Sequence, residues 1–548
     1  MAAQTAHARR RMLTLSALSV SALVLAGCAG GGAAGGGGEN GGVITVGTTD
    51  KVVSIDPAGS YDNGSFAVMT QVYGSLMRSE PGSPEVSPDL AESAEFTSPN
   101  VYTVKLREGL KFTNGNELTS SDVKFSFDRQ VKINDPNGPA SLLYNLDEVV
   151  AVDDLTVEFH LKQENDVIFP QILSSPVGPI VDEDVFSPDA ITSDEEIVAG
   201  DAFAGPYRID TYEKNSLVSY KKNPDYQGVI EGGAKTENII TKYYADASNL
   251  KLEIQNGSID VAWRSLSATD ISDLRGVDTL KVHEGPGGEI RYLVFNFNTM
   301  PYGAKADGAD ANKALAVRQA IAHLIDRDEL AEQVYQGTYT PLYSHVPAGL
   351  TGATEELKSM YGDGQGKSSL DKAKQVLSDA GITETVTLDL QYSNDHYGPS
   401  SADEYALIKN QLEASGLFKV NLQTTEWGQY SKDRTDDLYP VYQLGWFPDY
   451  SDADSYLTPF FLTENFLGNH YANPKMDELI LKQAVTADEG EREKLLGDIQ
   501  KIAAEDLSTL PYLQGSQIAV AKTDIEGIDK TLDSSYTFRF ALLERKQG

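Results

Sequence analysis

One stretch of the chain combines aromatic and acidic side chains at a spacing suited to ligand recognition. Residues 445–450 read GWFPDY and follow Tyr439–Leu444, an alternating segment rich in β-forming residues. Pro448 has no backbone N–H, so we expect a strand that ends near it and a loop that follows. Loops at strand ends commonly carry binding residues.

Four side chains of this loop suit a small cationic or amphipathic ligand. Trp446, Phe447 and Tyr450 would supply apolar surfaces, and the carboxylate of Asp449 would supply one negative charge. The alternative is that the aromatic residues fill a core and Asp449 caps the next helix. The residue types alone leave both interpretations open.

Motifs for catalysis and metal binding are missing from the sequence. It contains neither a G-x-S-x-G nor an H-E-x-x-H motif. Gly362–Ser368 resembles a phosphate loop, but Tyr361 stands where the motif requires glycine. Asp449, Asp452 and Asp454 resemble calcium ligands, yet the glycine and glutamate of an EF-hand do not follow. We therefore predict no catalytic residue, no metal, no cofactor and no enzymatic activity.

Length and charge narrow the class of protein. The chain has 548 residues, 40% hydrophobic and 23% charged, which predicts a globular protein of two or three domains. Its formal net charge is −36, and the acids are spread along the chain. This charge disfavours nucleic acid as a partner.

The first residues have the pattern of an export signal. Arg9–Arg11 precede the apolar segment Met12–Ala26, which is too short to cross a bilayer core of about 30 Å. The segment ends in Leu25-Ala26-Gly27-Cys28, which matches the bacterial lipobox, and Cys28 is the single cysteine of the chain. We predict a signal peptide over residues 1–27 and lipidation of Cys28, with either general or twin-arginine export.

A glycine-rich segment follows the predicted lipidation site. Residues 30–42 read GGGAAGGGGENGG and have too little apolar surface to fold. We therefore expect residues 28–42 to form an acylated tether that holds the rest of the chain at the extracytoplasmic face of the cell membrane.

The remaining chain mixes strand and helix patterns, which indicates an α/β fold. Ser65–Met77 has helical spacing of apolar residues, and a helix capped by Ser120 or Ser121 is expected to reach Arg129. Further on, strands Val386–Tyr392 and Val420–Thr425 flank the helix Glu404–Ser415. A strand, helix, strand order predicts two parallel strands joined by a crossover.

Several segments together resemble one known family. Tyr102–Phe112 (YTVKLREGLKF) and Leu118–Arg129 (LTSSDVKFSFDR) are followed in order by Ala204–Tyr207, Asn223–Tyr226 and the GWFPDY segment. This ordered set resembles the bacterial family 5 extracellular solute-binding proteins, which bind peptides or nickel for ABC importers.

The resemblance implies a periplasmic-binding-protein-like α/β fold with two lobes joined by a hinge and a smaller third lobe. The predicted divisions are lobe I over 43–76, 205–290 and 513–548, lobe II over 77–204, and lobe III over 291–512. A ligand would be enclosed between lobes I and III as they close.

The resemblance also implies the roles of individual residues. Asp449 would pair with the α-ammonium of a peptide, and Trp427 and Trp446 would line the cleft. The remaining predicted ligand-binding residues are Phe447, Tyr450, Tyr61, Asp62 and Asn296. We find no arginine that matches a partner for the ligand's carboxylate.

These observations predict an extracytoplasmic substrate-binding component of an ABC importer. It would capture peptides and deliver them to a membrane permease with its ATPase, working as a monomer. Two alternatives remain: the same scaffold binding an oligosaccharide or a chelated metal, or a surface-anchored hydrolase that uses a carboxylate pair.

Overall fold

The computed structural model describes residues 42–264, 266–398, 400–533 and 537–546. The predicted signal peptide and Cys28, with the tether up to residue 41, lie outside these ranges. The strands, in chain order, are β1 (Ile44–Thr48), β2 (Met77–Ser79), β3 (Val86–Pro88), β4 (Ala91–Ser98), β5 (Val101–Leu106), β6 (Leu146–Asp153), β7 (Thr156–Leu161), β8 (Tyr207–Glu213), β9 (Leu217–Lys222), β10 (Asn238–Tyr243), β11 (Val261–Trp263), β12 (Leu280–Gly285), β13 (Ile290–Phe295), β14 (Tyr339–Pro341), β15 (Val386–Ser393), β16 (Phe418–Thr425), β17 (Val441–Trp446), β18 (Thr509–Gly515), β19 (Gln517–Lys522), β20 (Ile525–Glu526) and β21 (Glu544–Arg545).

Helices alternate with these strands over much of the chain. They are α1 (Asn63–Val72), α2 (Ser120–Ile133), α3 (Phe169–Ile172), α4 (Asp194–Gly200), α5 (Ala247–Gln255), α6 (Ala268–Leu274), α7 (Ala311–Leu324), α8 (Arg327–Gln333), α9 (Glu356–Met360), α10 (Leu370–Asp379), α11 (Ser401–Ala414), α12 (Trp427–Thr435), α13 (Thr458–Phe461), α14 (Pro474–Gln483) and α15 (Glu489–Asp506). Among the residues described, no helix combines the length and the apolar composition needed to cross a membrane.

The first sheet has the strand order β12-β19-β11-β1-β10-β9-β8. Its centre is parallel, because β1 pairs in parallel with both β10 and β11, whereas its outer strands pair antiparallel. Strands from the start, the middle and the end of the chain therefore share one sheet. The carboxyl ends of β1 and β11 lie at the same edge of it.

The second sheet has the strand order β14-β18-β13-β17-β15-β16. β15 pairs in parallel with β16 and with β17, and α11 connects β15 to β16. The predicted parallel crossover is thus confirmed. All six residues of β13 are buried, with Leu293 and Tyr292 in different apolar clusters, so both faces of this sheet are covered.

The third sheet is antiparallel, with the order β4-β5-β7-β6, and α2 packs against β6 and β7. Its apolar side contributes to a separate core that includes Val104, Phe127 and Phe159. The mixed α/β architecture agrees with the predicted fold class. The three lobe divisions stay a prediction.

Several element boundaries differ from the sequence predictions, and three of them have a clear physical reason or shift the candidate loop. The strand expected over Tyr439–Leu444 begins at Val441 and continues through Trp446. Thr119, rather than Ser120 or Ser121, caps α2, because its side chain and that of Asp122 satisfy each other's backbone N–H groups. The helix expected to reach Met77 ends at Val72, since Tyr73 has extended backbone angles.

Candidate ligand-binding site

A cavity of about 600 Å³ lies where strand ends of the first two sheets meet. Lys51 follows β1 and Arg264 follows β11, whereas His396 follows β15 and Asp449 follows β17. The first two residues therefore follow the parallel strands β1 and β11 of the first sheet, and the last two follow the parallel strands β15 and β17 of the second sheet. Crevices beyond the carboxyl ends of such strands are the usual ligand sites of α/β folds, and this volume falls within the range of small-molecule sites.

Asp449 is half-buried in the wall of this cavity. Its carboxylate accepts a hydrogen bond from the hydroxyl of Tyr61, a residue 388 positions earlier in the chain. Burial raises the pKa of Asp449 to about 6, and the bond from Tyr61 opposes that rise. The helix-cap alternative does not apply to Asp449, because Asp452 caps the turn that follows.

Trp446 and Phe447 form one aromatic wall. The Trp446 ring packs edge-on against Phe460, with ring centres 5.1 Å apart, and at a tilt against the half-exposed Phe466 at 5.7 Å. The guanidinium of Arg264 lies 5.8 Å from the centre of the Phe447 ring. Both rings therefore line the cavity, and Trp446 also packs against the apolar cluster that contains Phe460.

Trp427 forms a second aromatic wall. Its ring stacks on His396 with centres 3.7 Å apart and planes inclined by 5°, and its other neighbours include Tyr430 at 5.7 Å. Trp427 is the first residue of α12, after the cap Glu426. Both rings of this stack line the cavity.

A buried polar group holds the loop that carries His396. Arg291 donates to the backbone carbonyl of Tyr397 at 2.6 Å, and it forms an ion pair with the fully buried Glu404 at 3.4 Å. Gly445 allows the Tyr397 ring to approach, because a Cβ at that position would lie 2.8 Å from Cε1 of the ring. The second sheet thus positions the aromatic walls through contacts remote in sequence.

Tyr450 lines the cavity, and its hydroxyl donates to Asp454 at 2.7 Å. Asp452 accepts two hydrogen bonds from Arg492, at 2.8 and 2.6 Å. The carboxylates that resemble a calcium ladder in sequence therefore have separate partners. Within the described ranges, no group of three or more His, Cys, Asp or Glu side chains is arranged to hold a metal ion.

Tyr61 and Asp62 also line the cavity. Asp62 caps α1, because its carboxylate accepts from the backbone N–H of Ser65 at 2.9 Å and from the Ser65 hydroxyl at 2.8 Å. Tyr61 is 40% exposed, and its hydroxyl reaches Asp449. These positions suit a ligand-facing role for Tyr61 and a structural role for Asp62.

Asn296 lies away from the cavity-lining residues. It is fully buried, and its amide nitrogen donates to Asp437 at 2.9 Å. Its side-chain oxygen accepts from the backbone N–H of Asn298 at 2.9 Å. The structure therefore brings seven of the eight predicted ligand-binding residues to one cavity and leaves Asn296 in a structural hydrogen-bond network.

Several cavity residues were missed in the sequence analysis. They are Lys51, Trp263, Arg264, His396, Tyr397 and Phe466. A signal for His396 exists, because it follows a strand of the predicted parallel crossover and ligands gather at such strand ends. Arg264 has no comparable local signal, since β11 is only three residues long.

Comparisons with known proteins agree with this architecture. Residues 85–468 match the family model described as bacterial extracellular solute-binding proteins, family 5 middle. The dipeptide-binding protein of Escherichia coli K12 is 24% identical over 492 residues, covering 85% of this chain and 87% of its own. Heme-binding protein A of Haemophilus influenzae is 24% identical over 512 residues, covering 88% of each.

A solved structure supports the fold independently. The periplasmic binding protein DppA of Helicobacter pylori, in complex with the peptide STSA, superimposes with a TM-score of 0.73 at 21% identity. The match covers 92% of this chain and 98% of that one. The periplasmic-binding-protein-like fold expected from the sequence is confirmed. The relatives are solute-binding proteins rather than enzymes, and the chain belongs to the bacterial extracellular solute-binding proteins of family 5.

Proposed function

We propose that this protein captures short peptides in the cavity and delivers them to an ABC permease and its ATPase. The carboxylate of Asp449, half-buried between aromatic walls and joined to Tyr61, is the observation that carries the proposal. A desolvated ammonium group needs a charged, hydrogen-bonded partner, and Asp449 supplies one. The dipeptide bound by the relative from Escherichia coli, as its name states, is a ligand of this kind.

The aromatic walls suit variable peptide side chains. The Trp427–His396 stack and the ring of Trp446 offer apolar contact without selecting a particular hydrogen-bonding pattern. Specificity would then come from the charged ends of the peptide rather than from its side chains. We further propose that the predicted lobes I and III close around the ligand and that the protein acts as a monomer.

Calorimetric titration with the dipeptide Ala-Leu tests the proposal. The protein is first unfolded and refolded to remove any retained ligand, and we expect saturable binding of Ala-Leu and much weaker binding of N-acetyl-Ala-Leu. The acetylated peptide has lost the charge that pairs with Asp449. Equal binding of both peptides, or retention of only an oligosaccharide or metal chelate in mass spectrometry, would contradict peptide capture.

Peptide affinity should depend on pH through Asp449. Its pKa in the free protein is about 6, and a bound ammonium would lower that value because it favours the ionised carboxylate. Affinity is therefore full above about pH 7 and falls about tenfold per unit as the pH drops below 6. Titrations from pH 4.5 to 8, about the range over which histidine also titrates, measure this dependence.

Two variants test whether the carboxylate of Asp449 causes the pH dependence of peptide affinity. Asp449→Asn should abolish the pH dependence of affinity. His396→Gln, which removes the titratable imidazole stacked on Trp427, should preserve that dependence. A steep loss of peptide affinity at acid pH that persists in Asp449→Asn would refute the assignment to this carboxylate.

The location of the protein is part of the proposal. Lipidation of Cys28 would anchor it to the extracytoplasmic face of the cell membrane through the glycine-rich tether. We expect Cys28→Ala to move the protein from the membrane fraction to the soluble fraction after cell lysis. The matched control is Gly31→Ser, a change within the tether that keeps the cysteine, and this variant should stay membrane-bound. A Cys28→Ala protein that remains in the membrane fraction would contradict lipid anchoring.

A further inference from the structure

The third sheet belongs to a segment that forms part of the cavity wall. Residues 77–204 carry this sheet, and we call them the third-sheet unit. Tyr450, from the loop after β17, lines the same cavity as several residues of this unit, which include Ser174, Ser175, Pro176 and Pro179. Two sides of the unit contact the rest of the chain, so the strengths of those contacts decide whether this wall can move.

Buried bonds fix the third-sheet unit to the residues that flank α1. Arg129 forms a bidentate ion pair with Asp56, and both side chains are at most 1% exposed. The backbone N–H of the fully buried Ile180 donates to the carbonyl of Gly74 at 2.9 Å. Separating a buried ion pair is costly, because it leaves two charges without partners. This side of the unit is therefore fixed.

The other side of the unit meets the end of α14 through a half-buried contact, which we call the Val167–Ala484 junction. The backbone N–H of Val167 donates to the carbonyl of Ala484 at 3.0 Å, and both residues are half-buried. Ala484 and Tyr450 also pack against the apolar core of the third sheet. Backbone hydrogen bonds that are partly open to water belong to the parts of a protein that separate most readily.

A continuous path of hydrogen bonds joins this junction to the proposed ammonium site. Tyr450, the residue after Asp449, donates its hydroxyl to the buried carboxylate of Asp454 at 2.7 Å. The same carboxylate accepts a hydrogen bond from the fully buried side chain of Gln483. Gln483 is the last residue of α14 and directly precedes Ala484. A displacement of the loop that carries Asp449 would therefore be transmitted to the junction.

From this arrangement we propose that the Val167–Ala484 junction is a gate, which opens to admit a peptide to the cavity and closes when the peptide's ammonium group binds Asp449. The fixed contacts beside α1 keep the third-sheet unit in place while α14 and the loop of Asp449 move against it. A ligand shifts such an equilibrium only if it binds the closed form more tightly. The bonds through Tyr450 supply that difference, because they align Asp449 when α14 is docked. Tyr450 thereby acts as a positioning residue.

Amide hydrogen exchange of the refolded protein, resolved to single residues, tests the gate. The ligand is Ala-Leu, so this part of the test rests on the proposed function. In the ligand-free protein, we expect the N–H of Val167 to exchange at least about tenfold faster than that of Ile180, which reports the fixed side. Ala-Leu at about 100 times its Kd should slow exchange at Val167 by up to about a hundredfold. The matched control is the N–H of Val485, which donates to Lys482 within the same helix end and should keep its rate.

Tyr450→Phe tests the path between Asp449 and the gate, because it keeps the ring and removes the hydroxyl that bonds to Asp454. At the same ratio of peptide to Kd, the slowing at Val167 should fall to less than about threefold. Tyr471→Phe is the matched control, since its hydroxyl bonds to Asp506 at the same distance of 2.7 Å, and it should keep the full slowing. Full slowing in both variants would overturn the role of Tyr450.

The wild-type protein decides the gate even if Tyr450→Phe does not fold. An exchange rate at Val167 that bound Ala-Leu leaves unchanged would overturn the gate while peptide capture stands. Absence of Ala-Leu binding in calorimetry would instead refute peptide capture. The ligand-free protein then decides, since exchange at Val167 as slow as at Ile180 shows a permanent contact and overturns the gate.

Discussion

Replacing Asp449 with asparagine is expected to weaken the binding of Ala-Leu by roughly thirty-fold to several thousand-fold. The change keeps the shape of the side chain and removes its charge, which leaves the peptide's ammonium group buried without a counter-ion. Truncation of one partner of such a pair costs about 2 to 5 kcal/mol, and the stated range follows from that cost. Calorimetric titration at pH 7.5 measures the loss.

Asp62→Asn is the matched control for this experiment. Asp62 lines the same cavity and bears the same charge, but both of its carboxylate oxygens bind Ser65 at the start of α1. Asparagine is an equally good helix cap, so the control protein should fold and keep most of its affinity. An Asp449→Asn protein that folds and binds Ala-Leu as tightly as the control does would rule out ammonium recognition by Asp449.

Trp427→Ala gives a second comparison within the same site. Removing its indole should weaken free and N-acetylated peptides by similar factors, because the stacked surface does not read charge. The comparison thereby assigns selectivity for the charged amino group to Asp449 and contact with apolar parts of the peptide to Trp427.

Replacing Arg129 with methionine is expected to lower the free energy of unfolding by about 3 to 5 kcal/mol. Arg129 of α2 forms a bidentate ion pair with Asp56, with nitrogen to oxygen distances of 2.8 and 2.9 Å, and both side chains are at most 1% exposed. The substitution would leave the Asp56 carboxylate buried without its cation. Its remaining hydrogen bonds, from the backbone N–H groups of Thr192 and Ala58, offset only part of that cost.

Urea and thermal unfolding curves measure this loss, and an exposed ion pair on the same helix provides the control. Lys132 lies 3.5 Å from Asp189, with side chains 59% and 63% exposed, so Lys132→Gln should change stability by less than about 1 kcal/mol. If Arg129→Met unfolds at the same urea concentration as Lys132→Gln, the buried pair of Arg129 and Asp56 does not contribute the predicted stability.

Local patterns in the sequence were sufficient to predict the family and the type, helix or strand, of most elements. The alternating residues before Gly445 form β17, and the spacing after Val386 produces the parallel pair β15 and β16. These features depend on residues that are close in sequence, because backbone propensity and apolar periodicity act over a few turns or one strand. The GWFPDY segment indicated a ligand site for the same reason, as its aromatic and acidic groups are neighbours.

Contacts between distant segments were decided only by the tertiary structure. Tyr61, which lies just before α1, meets Asp449, and Arg264 meets Phe447, because segments that follow strands of two separate sheets face one cavity. No local pattern indicated that the side chain of Asn296 turns into a buried network with Asp437. Pairings of this kind depend on how sheets assembled from remote segments are placed, which no local propensity encodes. The sequence by itself determined the fold family and the segment that carries Asp449, whereas tertiary packing decided which residues share its cavity.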